Sequence, residues 1–224
     1  MRLAKLVPAP IRTKIKGAMR DMALESSLMP LRATGGMTEA QIAVFIEAWG
    51  DDGFSADTTY IGQIIQLMTS GPILECGTGA STLVENELGI RRGLKIYSLE
   101  QSASFAQEMA RRDLKAVDVI HAPLKPMGDY QWYDVRAALP MHFSLVICDG
   151  PYIDKGLGEP TYSGWRYGVM PLLKSTGRTF DLMLLDDVVN HDRASAVLSR
   201  WKREFGVKVE RVAKGGGRWA IVKP

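Results

Sequence analysis

Ile73-Leu74-Glu75-Cys76-Gly77-Thr78-Gly79-Ala80-Ser81-Thr82-Leu83-Val84 passes from a short apolar run, through two glycines one residue apart, into a stretch of helical character. Two glycines so placed permit a sharp turn and close backbone approach, and the helix that follows offers unpaired N–H groups to a polar ligand. Four more apolar runs bounded by turn residues follow, at 94–99, 117–121, 143–148 and 180–185. Between them 81–88, 102–112 and 164–173 read as helices, and 192–205 adds a last one with Val197, Leu198, Trp201 and Phe205 facing inward. Strand and helix in alternation predict an α/β architecture, a doubly wound parallel sheet. Residues 207–212 and 218–222 flank Gly215-Gly216-Gly217, the spacing of a hairpin, and predict two antiparallel strands that close the chain.

Upstream of this pattern, residues 37–70 read as two helices that pack on the core. Thr38 with Gln41 forms a capping box for the first, which ends at Gly50; the second starts near Asp57 and lines up Ile61, Ile64, Ile65 and Met68. Residues 1–36 read as a helical appendage that carries seven Lys and Arg against Asp21 and Glu25, with Ile11, Ile15, Met19 and Met22 at helical spacing. Docking on its own domain is the favoured option for that face, with peripheral contact with a membrane surface, cover over the active site and a homodimer contact as the others. The remainder, 71–224, forms one large domain.

A composition of 46% hydrophobic and 24% charged residues supplies enough apolar surface for a packed core, which excludes disordered and collagen-like classes. No stretch reads as a transmembrane span or a signal peptide. Cys76 and Cys148 are too few for a disulfide framework and sit inside apolar runs, so a reducing cytoplasm is expected. The excess of positive charge lies in residues 1–36, and no basic stripe accompanies the strand ends, so no nucleic-acid partner is expected.

Ligands of a parallel sheet sit beyond the carboxyl ends of its strands, so the positions after each apolar run are the candidates. Glu100 ends the second run twenty-one residues beyond Gly79, where a carboxylate can accept both hydroxyl hydrogens of a ribose. Glycine loop and acid together point to an adenosine cofactor, and by themselves they leave a nicotinamide dinucleotide and S-adenosylmethionine both open. Two features favour the sulfonium compound. Glu75 precedes the first glycine, where an acid suits an ammonium and repels a pyrophosphate, and the chain closes with a hairpin. The fourth run ends in Asp149-Gly150-Pro151-Tyr152 and the fifth in Asp186-Asp187, so three carboxylates converge on one edge. Three oxygen donors suit a hard cation such as Mg²⁺; Asp149 as a lone general base, with Asp186 and Asp187 capping a turn, is the alternative.

These residues resemble the class I S-adenosylmethionine-dependent methyltransferases, whose first motif reads acid-x-Gly-x-Gly and whose second strand ends in an acid. The resemblance spans roughly residues 70–224 and implies a Rossmann-like seven-stranded sheet with an antiparallel last strand. It implies that Glu75, Gly77 and Gly79, with Cys76, Thr78, Ser81 and Thr82 beside them, surround the methionine part. Glu100 and Gln101 would then hold the ribose, His121 and Ala122 the adenine, and Asp149 would also face the cofactor. The acidic positions Asp149, Asp186 and Asp187 look like the metal ligands of small-molecule O-methyltransferases. Trp132-Tyr133-Asp134, Asp149-Gly150-Pro151, Arg166 and the Asp186-Asp187 pair also resemble a loosely characterised bacterial methyltransferase group, which implies a metal-free relative as the alternative.

The expected activity is transfer of a methyl group to an oxygen, in preference to a nitrogen, of a small-molecule or glycan acceptor. Asp149 would take the acceptor's proton, Tyr152 would border the acceptor, and Arg166 would either clamp the acceptor or pair with Asp149 or Asp187 and hold the loop; Trp132-Tyr133-Asp134 would line the other wall, with His191 a lesser candidate as helper. An NAD-dependent oxidoreductase and a noncatalytic cofactor-binding scaffold are the rival readings.

Overall fold

A computed structural model describes residues 9–50, 56–152, 166–188, 195–213 and 217–224. Strand β1 (Ile73–Cys76) forms because four residues of the opening run are buried from both faces. It pairs in parallel with β2 (Ile96–Glu100) on one side and β6 (His142–Cys148) on the other. β3 (Val117–His121) extends the sheet beyond β2, and β7 (Thr179–Leu185) extends it beyond β6. β8 (Lys208–Val212) and β9 (Ala220–Lys223) complete seven strands in the order β3-β2-β1-β6-β7-β9-β8. The closing pair is antiparallel as expected, and β9 inserts antiparallel between β7 and β8. The expected turn at Gly215 and Gly216 and the candidate His191 lie outside the described residues, as do the first residues of the helices expected at 164–173 and 192–205.

Helices α5 (Ala80–Arg92), α6 (Ala103–Ala110), α7 (Val169–Ser175) and α8 (Ser195–Phe205) cover the sheet. Successive strand residues point to opposite faces, so the core divides in two. Ile73, Leu145, Ile147 and Leu184 pack with Val84 and Leu88 of α5 on one face. Leu74, Val146, Cys148 and Leu185 pack with Trp132, Met170, Val197 and Trp201 on the other.

Four helices precede the sheet: α1 (Ala9–Ser27), α2 (Met29–Thr34), α3 (Glu39–Trp49) and α4 (Thr58–Leu67). The capping box at α3 closes as expected: Gln41 N–H donates to Thr38 Oγ1 at 3.3 Å and Thr38 N–H to Gln41 Oε1 at 2.8 Å. Asp57 caps α4 by accepting Tyr60 N–H at 2.8 Å. Leu24, Leu28 and Leu31 are buried in the same cluster as α4 and α5, so the segment read as an appendage contributes to the core. Arg32 reinforces that docking with two bonds of 2.9 Å to Glu87.

Two features were not foreseen. α2 is a single short turn, and β4 (Leu124–Pro126) with β5 (Gln131–Tyr133) makes a separate two-stranded hairpin. Strands of three residues are too short to show alternation. No helix among the described residues is long and apolar enough to cross a membrane.

Candidate functional site

Backbone bonds draw the carboxyl ends of β1 and β6 together. Cys76 O accepts the N–H of Asp149 at 3.0 Å and of Gly150 at 2.5 Å, while Gly77 N–H donates to Leu99 O at 3.0 Å. Gly77 takes φ +100°, and a Cβ added there would lie 2.5 Å from Gly150 N. Both the left-handed backbone and the close approach therefore require glycine. β1 is the strand from which the order runs outward in both directions, so this crevice is the topological switch point of the sheet.

Beneath the turn Glu75 is 1% exposed. Its carboxylate accepts Ser98 Oγ at 2.5 Å, Ser81 Oγ at 2.7 Å and Thr82 Oγ1 at 2.8 Å. Thr82 Oγ1 also accepts Gly79 N–H at 2.8 Å, and Thr78 Oγ1 lies 2.8 Å from Ser98 Oγ. Glu75 is thus the hub that fixes the loop onto α5 and β2, and its oxygens are taken up by protein hydroxyls rather than turned to the crevice. Glu85, one helical turn on, is fully buried beside it. Burial pushes the Glu85 carboxyl well above the usual range, and the Glu75 charge adds to this, so Glu85 keeps its proton; neither of its oxygens has a hydrogen-bond partner among the described residues. Burial also raises Glu75, against the opposing hydrogen bonds from Ser98 and Ser81. The sequence carried a signal for Glu85: an acid on the helix face of Ser81, Thr82 and Leu88 cannot be solvated.

At the end of β2, Glu100 accepts Ser102 N–H at 2.6 Å and is raised by burial. Ala122, fully buried, donates its N–H to Glu100 O at 2.7 Å, and His121 lies in register with Glu100 at the exposed edge. Gln101 Nε2 donates to Tyr152 O and so joins the β2 end to the chain beyond β6; the Tyr152 side chain is exposed. The sequence candidates at the first, second, third and fourth strand ends are therefore brought to one rim.

Asp149, Asp186 and Asp187 offer carboxylate oxygens within 4.8 Å of one another. Arg166, 5% exposed, enters this cluster. Its Nη2 donates to Asp149 Oδ1 at 3.0 Å and Asp187 Oδ2 at 3.3 Å, and its Nη1 to Pro151 O at 3.0 Å. Arg218 Nε lies 3.2 Å from Asp187 Oδ1. Burial first, then the charges of Asp149 and Asp187, push the Asp186 carboxyl up to about 8. Two guanidiniums, those of Arg166 and Arg218, thus face the three carboxylates. The three acids expected to hold Mg²⁺ are brought together, and two of them bond to the protein's own guanidinium, Arg166. Asp149 is raised by burial, with Arg166 opposing.

Among the buried polar groups, Tyr133 was marked in the sequence as a wall of the site, whereas Tyr60 and Gln63 were not. Tyr133, the last residue of β5, lies against the crevice so closely that a Cβ on Gly150 would collide with its hydroxyl. Tyr60 Oη and Gln63 Oε1, on α4, are buried, and like Tyr133 Oη they have no hydrogen-bond partner among the described residues. Such orphaned groups are rare in packed interiors and mark places where a further ligand or water belongs.

No protein-family model matches the sequence, and no curated protein matches it. Solved structures share the fold. The SAH-bound methyltransferase PaMTH1 of Podospora anserina is 15% identical, with 97% of this chain and 97% of that one covered at a TM-score of 0.53. The METTL16 MTase domain is 14% identical, with 83% of this chain and 80% of that one covered at a TM-score of 0.51. The chain has the α/β Rossmann-like fold found in these S-adenosylmethionine-dependent methyltransferases.

Proposed function

We propose that the chain is an S-adenosylmethionine-dependent methyltransferase that methylates an oxygen, in preference to a nitrogen, of a small-molecule or glycan acceptor. The observation that carries this reading is the crevice between β1 and β6: a glycine backbone that admits no Cβ, flanked one strand away by the carboxylate of Glu100. That cradle and the orphaned hydroxyls around it fit a nucleoside bearing a polar tail.

In this reading Gly77, Thr78 and Gly79 carry backbone against the cofactor, with Cys76, Ser81 and Thr82 behind them. Glu100 accepts the ribose hydroxyls, with Gln101 tying down the neighbouring rim, and His121 and Ala122 border the adenine. Glu75 acts from beneath, holding the loop through Ser81, Thr82 and Ser98. Its buried charge opposes a pyrophosphate in the turn, which disfavours a nicotinamide dinucleotide. S-adenosylmethionine, when bound, supplies a methyl group already activated on sulfur. The protein's task is then to orient the acceptor and remove its proton.

Asp149 is the candidate base: burial moves its carboxyl up from the usual range, and Arg166 fixes the carboxylate through Oδ1. Arg166 thereby serves Asp149 and Asp187 rather than the acceptor, and Tyr152 remains at the exposed rim. Carboxylates along this rim disfavour a phosphate backbone as acceptor. Two free buried thiols fit a reducing cytoplasm.

The test is transfer of label from methyl-labelled S-adenosylmethionine into fractions of a cell extract. Label entering the low-molecular-mass or glycan fraction, lost with Asp149→Ala while cofactor binding persists, is the expected result. Label confined to RNA or protein contradicts the acceptor class, and an Asp149→Ala chain that labels at the wild-type rate contradicts the base.

A further inference from the structure

Helix α1 presents two apolar faces, and the fold uses one of them. Leu24 is 2% exposed and enters the core with Leu28 and Leu31. Met19 and Met22 are 66% and 72% exposed, and every residue from Gly17 to Ala23 is exposed. At about 3.6 residues per turn, Met19 lies about 140° and Met22 about 160° around the helix from Leu24, so the two methionines face away from the domain. Met29, seven residues beyond Met22 at the start of α2, is 56% exposed as well. A single exposed apolar side chain is ordinary, whereas a stripe of them marks an interaction surface.

The sequence continues this stripe backward, with Ile15 and Ile11 four and eight positions before Met19. Basic residues interleave with it. Residues 1–23 carry Arg2, Lys5, Arg12, Lys14, Lys16 and Arg20 against Asp21, a net charge of +5 in a chain whose total is +3, which leaves −2 for the remainder. Those charges select the partner. An apolar stripe bordered by Lys and Arg fits the boundary between headgroups and acyl chains of an anionic bilayer, where the methionines enter the acyl region and the long basic side chains reach phosphate. A single-stranded nucleic acid would satisfy the charges but leave the methionines in water, and residues 1–23 contain no aromatic side chain on which bases could stack.

We propose that the outward face of α1 docks the chain on an anionic lipid surface, while the opposite face, through Leu24, holds α1 to the α/β domain. The inference is independent of the methyltransferase reading, because none of the crevice residues named above lies on α1.

The experiment is flotation of the full chain with vesicles of phosphatidylcholine alone and of phosphatidylcholine and phosphatidylglycerol in equal parts, at low and at high salt. The chain should float with the mixed vesicles at low salt, and both high salt and the absence of phosphatidylglycerol should release it. The double variant Met19→Gln, Met22→Gln should weaken vesicle affinity about tenfold without lowering the melting temperature. The triple variant Arg12→Gln, Lys14→Gln, Lys16→Gln should weaken it about a hundredfold. Met141→Gln, which replaces a methionine 60% exposed just before β6, should change nothing. A wild-type chain that stays unbound to the mixed vesicles, a methionine variant that floats like wild type, or a lowered melting temperature in that variant would overturn the proposal. So would single-stranded RNA bound in preference to the mixed vesicles, or an oligomer in vesicle-free solution that the methionine variant dissociates, which would assign the stripe to a second copy of the chain.

Discussion

Gly77 concentrates the fold's demands on one position, because a methyl there would meet Gly150 N at 2.5 Å while the backbone holds φ +100°. Gly77→Ala should cost about 2–4 kcal/mol from the combined clash and left-handed strain, read by urea denaturation. Arg166 makes a different kind of demand. Arg166→Met leaves Asp149 and Asp187 facing each other without their shared counter-ion, and a loss of about 3 kcal/mol is expected in the same assay. Asp186 provides a pH test. Its folded value near 8 exceeds the ordinary 3.8, so between those values the native state holds a proton that the unfolded chain has released. Stability attributable to Asp186 therefore falls as pH rises from about 4 to about 8 and is level above that. Asp186→Asn should flatten this part of the melting profile; an unchanged slope would place the titration elsewhere. Glu75, Glu100, Asp149 and the acidic pair were legible in the sequence because acids at strand ends break an apolar pattern. Tyr60 was not, because at helical spacing a tyrosine among isoleucines reads as core, and nothing in one dimension shows that its hydroxyl lacks a partner.

The seven strands of the main sheet, each of four or more residues, and the capped helices α3 and α4 were legible because apolar runs, turn residues and capping chemistry agree over the whole element. The β4–β5 hairpin was hidden by its length, although Trp132 and Tyr133 had been marked as neighbours of the site. The N-terminal segment shows a different gap between sequence and structure. Read as an appendage with docking on its own domain as the favoured option, it sends Leu24, Leu28 and Leu31, which the sequence reading did not single out, into the core beside α4 and α5. Burying leucine contributes roughly 1.5–3 kcal/mol per side chain, so removal of residues 1–36 should lower stability by several kcal/mol and expose the α4–α5 face. A melting temperature equal to that of the full chain would show that the segment is dispensable.

Across the molecule, the parallel order and the antiparallel insertion of β9 create one crevice at which glycine backbone, the Glu100 carboxylate and the Arg166 cluster meet. The alternation of strands and helices foretold that edge, and with it most of the candidate residues. It left open how charge is settled there, with Arg166 paired to Asp149 or Asp187 as one option, because that depends on where a loop residue far along the chain returns. The account depends on the chemistry of what that crevice holds, and titration of S-adenosylhomocysteine and of NAD⁺ into the purified wild-type chain tests it most directly. Saturable heat with S-adenosylhomocysteine, abolished by Glu100→Ala, and none with NAD⁺ is the expected result; heat with NAD⁺ alone would contradict it.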